Sequence, residues 1–300
     1  MSALIDFRHK TFLALCSIRN YTKTAEHLHI TQPAVTQHIK FLEEKYNCKL
    51  FVYENKRLNL TQEGKELWDL LTRISADANR FARHISTRET QRKDIYFGAT
   101  LSIGEYLMPQ VITEVLRTNP RLNIHMDVGN SQVLLEKLHQ GELDFALIEG
   151  IIDKAQYDSL VFSREKFIPV CAPSSGFAGS ILEFREILQS TLVLREKGSG
   201  TREIFENILR QYNYSLDSFQ NIIEIGNMAA IKKLVAANLG ITFLYEIAAE
   251  KELEVGELCQ INIAGFDIIR EFNFVFLKGS AFAEKYVEYY EMMRDAASRL

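Results

Sequence analysis

Four polar side chains near the start of the chain have the types and spacing that the reading of DNA bases requires. They are Gln32, Thr36, Gln37 and Lys40, and at helical spacing they share one outward face. Glutamine can bond an adenine edge in two places, threonine can bond a base or pack on a thymine methyl, and lysine neutralises phosphate or reads guanine. Any solvated helix also presents a polar face, and for Gln37 alone that interpretation is preferred. The whole set, with the turn and hairpin beside it, indicates DNA contact.

The neighbouring residues predict the helix that carries this face. Thr31 is expected to cap it, and Pro33 falls in its first turn, where a missing N–H is harmless. Its inward face is expected to hold Val35, Ile39 and Leu42. The pattern therefore predicts a recognition helix over residues 31–46.

Two further helices are predicted before it. Residues 7–18 have apolar positions at helical spacing, and Thr22 is expected to cap a second helix that packs through Ala25 and Leu28. His29 and Ile30 then form a tight turn. This arrangement predicts a helix-turn-helix.

A small basic hairpin follows the recognition helix. Residues 50–53 and 56–60 predict its two strands, and Lys56 and Arg57 at the tip can reach phosphates or the minor groove. As a lone basic pair they would more often be plain solvated charge. The predicted DNA-binding residues of the helices and this wing are Thr22, Thr31, Gln32, Pro33, Thr36, Gln37, Lys40, Lys56 and Arg57.

A long amphipathic helix is predicted over residues 61–86, with Thr61 as its cap. Its apolar stripe is close to heptad spacing and consists of Leu67, Leu70, Leu71, Ile74, Ala78, Phe81 and Ile85. The stripe could pack against the chain's own domain. Pairing with a second copy is the preferred interpretation, because two-fold DNA readers dimerise.

Charge divides the chain into a basic and an acidic part. Residues 1–90 hold 14 Lys and Arg against 10 Asp and Glu, whereas the other 210 residues hold 21 against 29. A basic part can meet phosphates although the whole chain is acidic. The four cysteines contain no CxxC pair, so zinc and disulfides are not indicated. No signal peptide or membrane span is recognisable, which predicts a cytoplasmic protein without membrane contact.

From residue 94 onward, strands and helices alternate in the rhythm of parallel βα units. One set covers strands 95–99, 122–128 and 143–148 with the helices between them. A second set begins near residue 167 and ends at strand 241–244, and strand 271–276 and a C-terminal helix close the chain. The fold class predicted is α/β, with a largely helical winged helix-turn-helix in front of two Rossmann-like lobes.

Ligands of such sheets bind where strands run into helices, often at helix N-termini. Those points are residues 100–104 in the first lobe and 195–202 in the second. The second segment has glycines that free backbone N–H groups, hydroxyls on Ser199 and Thr201, and positive charge on Arg202. These features predict a small-molecule effector, with an anion as the preferred class, and no cofactor. The predicted effector-binding residues are Thr100, Ser102, Ile103, Glu149, Ser199, Gly200, Thr201, Arg202 and Asn227.

Each of these assignments has a simpler alternative. Residues 198–202 could be a capped βα loop without a ligand, and Thr100 and Ser102 could be helix caps. Glu149 would repel an anion unless it were protonated or paired. Asn227 at a helix start is more often a cap. Facing hydroxyl-bearing loops across a cleft favour the ligand interpretation.

The motif T-Q-P-A-V-T-x-x-I-x-x-L-E, followed by L-F and then K-R-x-x-L-T-x-x-G, resembles the LysR-type transcriptional regulators. The resemblance implies a DNA-binding domain at residues 1–60, a dimerisation helix at 61–90 and an effector domain at 91–300. It also implies a type 2 periplasmic-binding-protein fold, with one lobe at 91–162 and 267–300 and the other at 163–266. A homodimer or homotetramer is implied, and RNA polymerase is left open as a partner. Tyr53 stands where the family usually has Arg, Asn47 where it has Gly, and Tyr245 where it has Pro.

Other classes of protein are less well supported. The seven histidines form no metal motif, and Ser199 does not lie in a nucleophile elbow, so no enzyme and no metal site are predicted. An exported solute-binding protein would need a signal peptide. The remaining alternative is a small-molecule binding protein whose N-terminal module contacts proteins. The expected function is a DNA-binding regulator that responds to an effector.

Overall fold

The computed structural model describes residues 5–54, 57–86, 93–150 and 152–300 of the chain. Its N-terminal unit contains three short helices, a two-stranded hairpin and one long helix. Their bounds are α1 Phe7–Ile18, α2 Tyr21–Leu28, α3 Gln32–Tyr46, β1 Phe51–Glu54, β2 Arg57–Leu60 and α4 Gln62–Ser86. The predicted winged helix-turn-helix is confirmed as a fold.

Local side-chain caps explain where these helices begin. Thr31 caps α3 by accepting a hydrogen bond from the Ala34 N–H at 3.4 Å, as predicted. The predicted cap of α2 is wrong. Asn20 caps α2 by accepting from the Lys23 N–H at 3.0 Å, and Thr22 lies exposed in the first turn. Asn20 has the extended backbone of a capping residue, whereas Thr22 already lies inside the helix.

A small apolar core fixes the angle between α1 and α3. The inward residues of α3 are buried as predicted, and they meet residues of α1, the hairpin and α4. The core comprises Phe12, Leu15, Cys16, Ile39, Leu42, Leu50, Phe51, Leu58 and Leu71. Asn47 ends α3 with a left-handed backbone, φ 50°, a conformation that asparagine tolerates and glycine adopts most readily.

The second part of the chain, residues 93–300, is a mixed α/β domain. Its strands are β3 Lys93–Thr100, β4 Leu122–Gly129, β5 Phe145–Glu149, β6 Tyr157–Cys171, β7 Ile181–Leu182, β8 Thr191–Leu194, β9 Asn221–Glu224, β10 Thr242–Tyr245, β11 Cys259–Gln260, β12 Asn262–Ile263 and β13 Ile268–Leu277. Its helices are α5 Met108–Thr118, α6 Ser131–His139, α7 Gly200–Gln211, α8 Met228–Ala236, α9 Glu246–Glu254 and α10 Ala283–Ala297. In the described part of the chain, no helix is both long and apolar enough to span a membrane.

Two long strands join the lobes of this domain. The main sheet has the order β10-β6-β13-β5-β3-β4, and β6 and β13 pair antiparallel along ten residues of β13. Strand β13 begins at Ile268, so the predicted lobe boundary at residues 266 and 267 falls just before a strand that stays paired with β6 along its whole length. The lobe boundaries themselves stay predictions. Helix α9 was not predicted from the sequence.

The apolar stripe of α4 divides between two environments. Leu71 and Ala78 are buried within the chain, and Leu67 is partly buried against the N-terminal core. Four members of the stripe remain exposed on one face, and they are Leu70, Ile74, Phe81 and Ile85. The helix therefore packs on its own chain and also keeps a free apolar face.

Arg80 attaches α4 to the first lobe. Its side chain has no exposure to solvent and donates to the Leu143 carbonyl at 2.8 and 3.1 Å and to the Leu138 carbonyl at 3.0 Å. Asp77 pairs with it at 3.1 Å. Gly141 makes the approach possible, since a Cβ there would lie 2.5 Å from the Ala76 carbonyl oxygen. We call these contacts of Arg80 with Asp77, Leu138 and Leu143 the Arg80 clamp.

Replacing Arg80 by Ala is expected to lower the free energy of unfolding of the effector domain by about 3 kcal/mol, because buried carbonyls lose their donors. Denaturant titration of the full chain measures the loss. Lys65→Ala, an exposed position on the same helix, is the matched control and should be close to neutral. Equal stability of both variants would contradict the clamp.

Candidate functional site

The outward face of α3 is arranged for contact with a large polar partner. Gln32, Thr36, Gln37 and Lys40 are all exposed, as are Thr31 and Pro33 at the start of the helix. Gln32 donates to the Thr36 hydroxyl at 2.9 Å, and Lys40 lies 3.6 Å from Glu44. These exposed contacts are weak, so the groups are free to exchange them for base or phosphate contacts.

Two other parts of the N-terminal unit add to this surface. Thr22 is exposed at the start of α2, and Arg57 is exposed at the start of β2. Lys56 lies outside the described residues. Tyr53 on β1 is 72% exposed, so an uncharged aromatic side chain stands on the wing at that point. Tyr53 can offer a phosphate only a hydroxyl and no charge.

The predicted effector residues converge from three elements. The end of β3, the end of β5 and the start of α7 bring Ser102, Glu149 and Thr201 together. Thr201 donates to the Glu149 carboxylate at 2.6 Å, and the hydroxyls of Ser102 and Thr201 lie 3.4 Å apart. All three side chains are buried. We call these three residues the hydroxyl cluster, and it joins the start of α7 to the ends of β3 and β5.

Gly200 allows α7 to approach β5 closely enough for the hydroxyl cluster to form. A Cβ at Gly200 would lie 2.7 Å from both the Cγ and the carbonyl oxygen of Glu149, so no larger residue fits without movement. The glycine is needed here for close approach of α7 to β5. Its φ does not require glycine.

Several buried polar atoms beside the hydroxyl cluster lack partners among the described residues. They are Thr100 Oγ1, Glu149 Oε2, Arg195 Nη1, Ser199 Oγ and the Tyr245 hydroxyl. Buried polar groups in proteins are usually hydrogen-bonded, so a group of unpartnered ones fits a polar ligand. This set holds three hydroxyls, one carboxyl and one guanidinium, which could together bond a small polar molecule.

Sequence reasoning missed two members of this set. Arg195 is buried and pairs with Glu196 through Nε and Nη2, both at 2.8 Å. Tyr245 has no exposure to solvent, and its pKa is raised well above the ordinary value by burial and by the Glu149 charge. The sequence offered one indication for Tyr245: it ends a predicted strand, at a position where the resemblance implied Pro.

Burial raises the pKa of Glu149 above its ordinary value of 4.5. The hydrogen bond from Thr201 and the charge of Arg195 act in the opposite direction and are weaker. The protonated form of the carboxyl is therefore favoured, because its charged form is poorly solvated. A protonated Glu149 could donate a hydrogen bond through Oε2.

Three predicted effector residues have structural roles instead. Arg202 pairs with Glu206 at 2.7 Å and Glu224 at 2.6 Å, so its charge is neutralised within the second lobe. Asn227 is exposed and caps α8 by accepting from the Ala230 N–H at 2.8 Å. Ile103 lies in the apolar core. None of these three residues therefore offers a free polar group to a ligand at the hydroxyl cluster.

A cavity of about 700 Å³ lies on the α6 side of Glu149. The first lobe supplies most of its wall, and Leu13 of α1 and Trp68 of α4 supply the part nearest the DNA-binding unit. Trp68 stacks on His139 with ring centroids 5.8 Å apart. In the described ranges, no group of three or more His, Cys, Asp or Glu residues is placed to hold a metal ion.

Two family profiles match the chain. The bacterial regulatory helix-turn-helix protein of the lysR family matches residues 8–65, and the LysR substrate binding domain matches residues 88–298. The chain belongs to the LysR family of transcriptional regulators. It combines a DNA-binding unit with an effector-binding domain, and the alternative of a protein-contact module at the N-terminus is not favoured.

Curated relatives and solved structures agree with this assignment. A probable RuBisCO transcriptional regulator of Trieres chinensis is 28% identical over 86% of this chain and 85% of that relative. The regulator CysL of Bacillus subtilis is 26% identical over 89% of each. The fold is similar to an OxyR mutant of Corynebacterium glutamicum, with a TM-score of 0.62, 21% identity and coverage of 98% and 91%. The Synechocystis CcmR regulatory domain in complex with 2-PG has a TM-score of 0.60 at 20% identity, covering 68% of this chain and 98% of that chain.

Replacing Glu149 by Gln is expected to change how stability depends on pH. A carboxyl with a raised pKa in the folded state destabilises the protein increasingly from about pH 5 upward, until pH exceeds that raised pKa. The thermal midpoint of Glu149→Gln should therefore rise relative to that of the wild type as the pH is raised from the ordinary carboxyl pKa of 4.5 towards neutrality. Glu257→Gln, at an exposed position, is the control. A constant difference across this range would contradict a proton on Glu149.

Proposed function

We propose that α3 enters the major groove of promoter DNA and reads it through Gln32, Thr36, Gln37 and Lys40. The exposed polar face of α3, supported by a buried apolar face, carries this proposal. Thr22, Thr31 and Pro33 lie where backbone phosphates pass a helix-turn-helix, and Arg57 of the wing reaches a neighbouring phosphate. Lys56 stays a prediction of the sequence.

Two copies of the chain pair through α4. The support is the exposed apolar face formed by Leu70, Ile74, Phe81 and Ile85, since a soluble protein rarely leaves such a row uncovered. Pairing would place two copies of α3 about one helical turn of DNA apart, as for a two-fold operator. A tetramer and contact with RNA polymerase are further expectations from the family.

The effector is a small anion that binds at the hydroxyl cluster. The unpartnered hydroxyl of Ser199 and the unpartnered nitrogen of Arg195 supply donors, and the N-terminus of α7 adds positive potential. A proton on Glu149 removes the repulsion that a carboxylate would cause and adds a further donor. Sulfur or nitrogen oxyanions and short carboxylates have the matching chemistry.

Strand β5 links this site to the DNA-binding unit. Glu149 ends the strand, and Leu143 and Asp144 just before its start contact the Arg80 clamp and Arg83 of α4. All five residues of β5 are buried, so the strand is a rigid connection. An effector that favours one arrangement of the lobes would thereby favour one position of α4, and so one spacing of the two recognition helices.

We also propose that the protein works without catalysis and in the cytoplasm. The support is that its curated relatives are named as transcriptional regulators and that regulators of this kind act on DNA.

Replacing Gln37 by Ala, or Lys40 by Ala, is expected to weaken binding to the protein's own upstream promoter DNA by about 5- to 150-fold, because a good base contact contributes about 1–3 kcal/mol. A mobility-shift titration measures the change. Lys45→Ala, at the far end of the same helix, is the matched control. Affinity unchanged in both variants, with folding intact by circular dichroism, would contradict the recognition-helix assignment.

Replacing Ser199 and Thr201 together by Ala is expected to abolish the response to the effector while promoter binding persists. Thermal unfolding against a panel of sulfate, thiosulfate, nitrite, nitrate and short carboxylates identifies an anion that stabilises the wild type, and the double variant should lose that shift. Thr118→Ala on α5 is the control. A response that survives the double substitution, or one found only with cations, would overturn the anion site.

A further inference from the structure

Two thiols of the second lobe face each other across neighbouring strands. Cys171 ends β6, Cys259 begins β11, and the two residues are direct partners in the antiparallel pair. Directly opposed residues of such a pair project their side chains to the same side of the sheet. Their sulfur atoms lie 3.4 Å apart, although the residues are 88 positions apart in sequence.

The two sulfurs differ in their access to solvent. Cys171 is fully buried, and burial raises the pKa of its thiol to about 12. Cys259 is only partly buried, so a small oxidant can reach it first. One accessible sulfur with a second, protected sulfur in contact is the arrangement of an attacking and a resolving cysteine.

We propose that Cys171 and Cys259 form a dithiol site that a peroxide oxidises to a disulfide within one chain. The Cys259 thiolate attacks one peroxide oxygen, the O–O bond breaks, and the released hydroxide takes up a proton to become water. The sulfur of Cys171 then attacks the resulting sulfenic sulfur, the S–O bond breaks, and the second oxygen leaves as water with the Cys171 proton. The dithiol loses two electrons and two protons, and the peroxide is reduced to two waters.

The surrounding fold permits this bond. A disulfide needs a separation of about 2 Å, so the sulfurs must close by roughly 1.4 Å. Strand β11 is only two residues long and pairs with β6 outside the main strand order of the sheet, so it can make this movement more easily than β6. A disulfide here would join β6, the strand that leads into the second lobe, to β11, which lies shortly before β13 leads the chain back to the first lobe.

The other two cysteines provide internal controls. Cys16 is buried and Cys48 partly buried, and both belong to the N-terminal unit. Cys48 and Cys259 are both partly exposed to solvent, but Cys48 lies outside the proposed site. A reaction governed by exposure alone would therefore modify Cys48 as readily as Cys259.

The test treats the full chain with hydrogen peroxide, blocks remaining thiols with N-ethylmaleimide, and maps the peptides without reductant. We expect the peptides of Cys171 and Cys259 to be linked, with the mass of two hydrogens lost and the link reversed by dithiothreitol. Conversion should be faster than oxidation of Cys48, because the neighbouring sulfur captures the first oxidation product as a disulfide. Cys259→Ser should abolish the link, and Cys48→Ser should retain it.

Two results would overturn the proposal. One is oxidation of Cys259 to a sulfinic acid with no linked peptide, and the other is a link between two chains, seen as a dimer on a non-reducing gel. The wild-type experiment decides the matter even if a variant fails to fold. The test does not involve effector or DNA, so its failure would leave the proposed function untouched.

Discussion

Arg80 carries a charge that is wholly removed from solvent, and such a charge is stable only where its donors are matched by acceptors. The acceptors are the Asp77 carboxylate of α4, the Leu138 carbonyl in the last turn of α6 and the Leu143 carbonyl in the loop before β5. The long helix is thus held to the first lobe by an interaction that would be costly to break. Together with the hydrogen bonds of Asn79 and Arg83 to the carbonyls of residues 140–142, this attachment positions α4 on the effector domain.

The position of β5 makes the attachment relevant to ligand binding. One end of this buried strand lies beside the Arg80 clamp, and the other end is Glu149 of the hydroxyl cluster. A strand of five residues is about 17 Å long, which is the distance that the proposed coupling between the two sites would span. The buried polar groups around Glu149 that lack partners among the described residues make this end of β5 the end at which a ligand would bind.

The sequence was sufficient to predict the recognition helix, the wing and the meeting of Ser102 with Thr201, because these depend on local spacing and on a rule about strand ends. It did not reveal that Arg202 is neutralised by Glu224, since that pairing depends on where two separate segments meet. Arg195 and Tyr245 were missed for the same reason. The cap of α2 was misplaced because Asn20 and Thr22 are both good capping residues, and only the backbone conformation distinguishes them.

The pairing of β6 with β13 also limits how the lobes can move. The pair runs through both lobes without a loop at the boundary, and its register shifts once, between Phe272 and Asn273. A hydrogen-bonded ribbon resists sliding and in-plane bending, yet it tolerates additional twist, especially at a bulge. A rotation of one lobe against the other would therefore have to twist this single ribbon. The elastic resistance of the ribbon would limit the angle of that rotation.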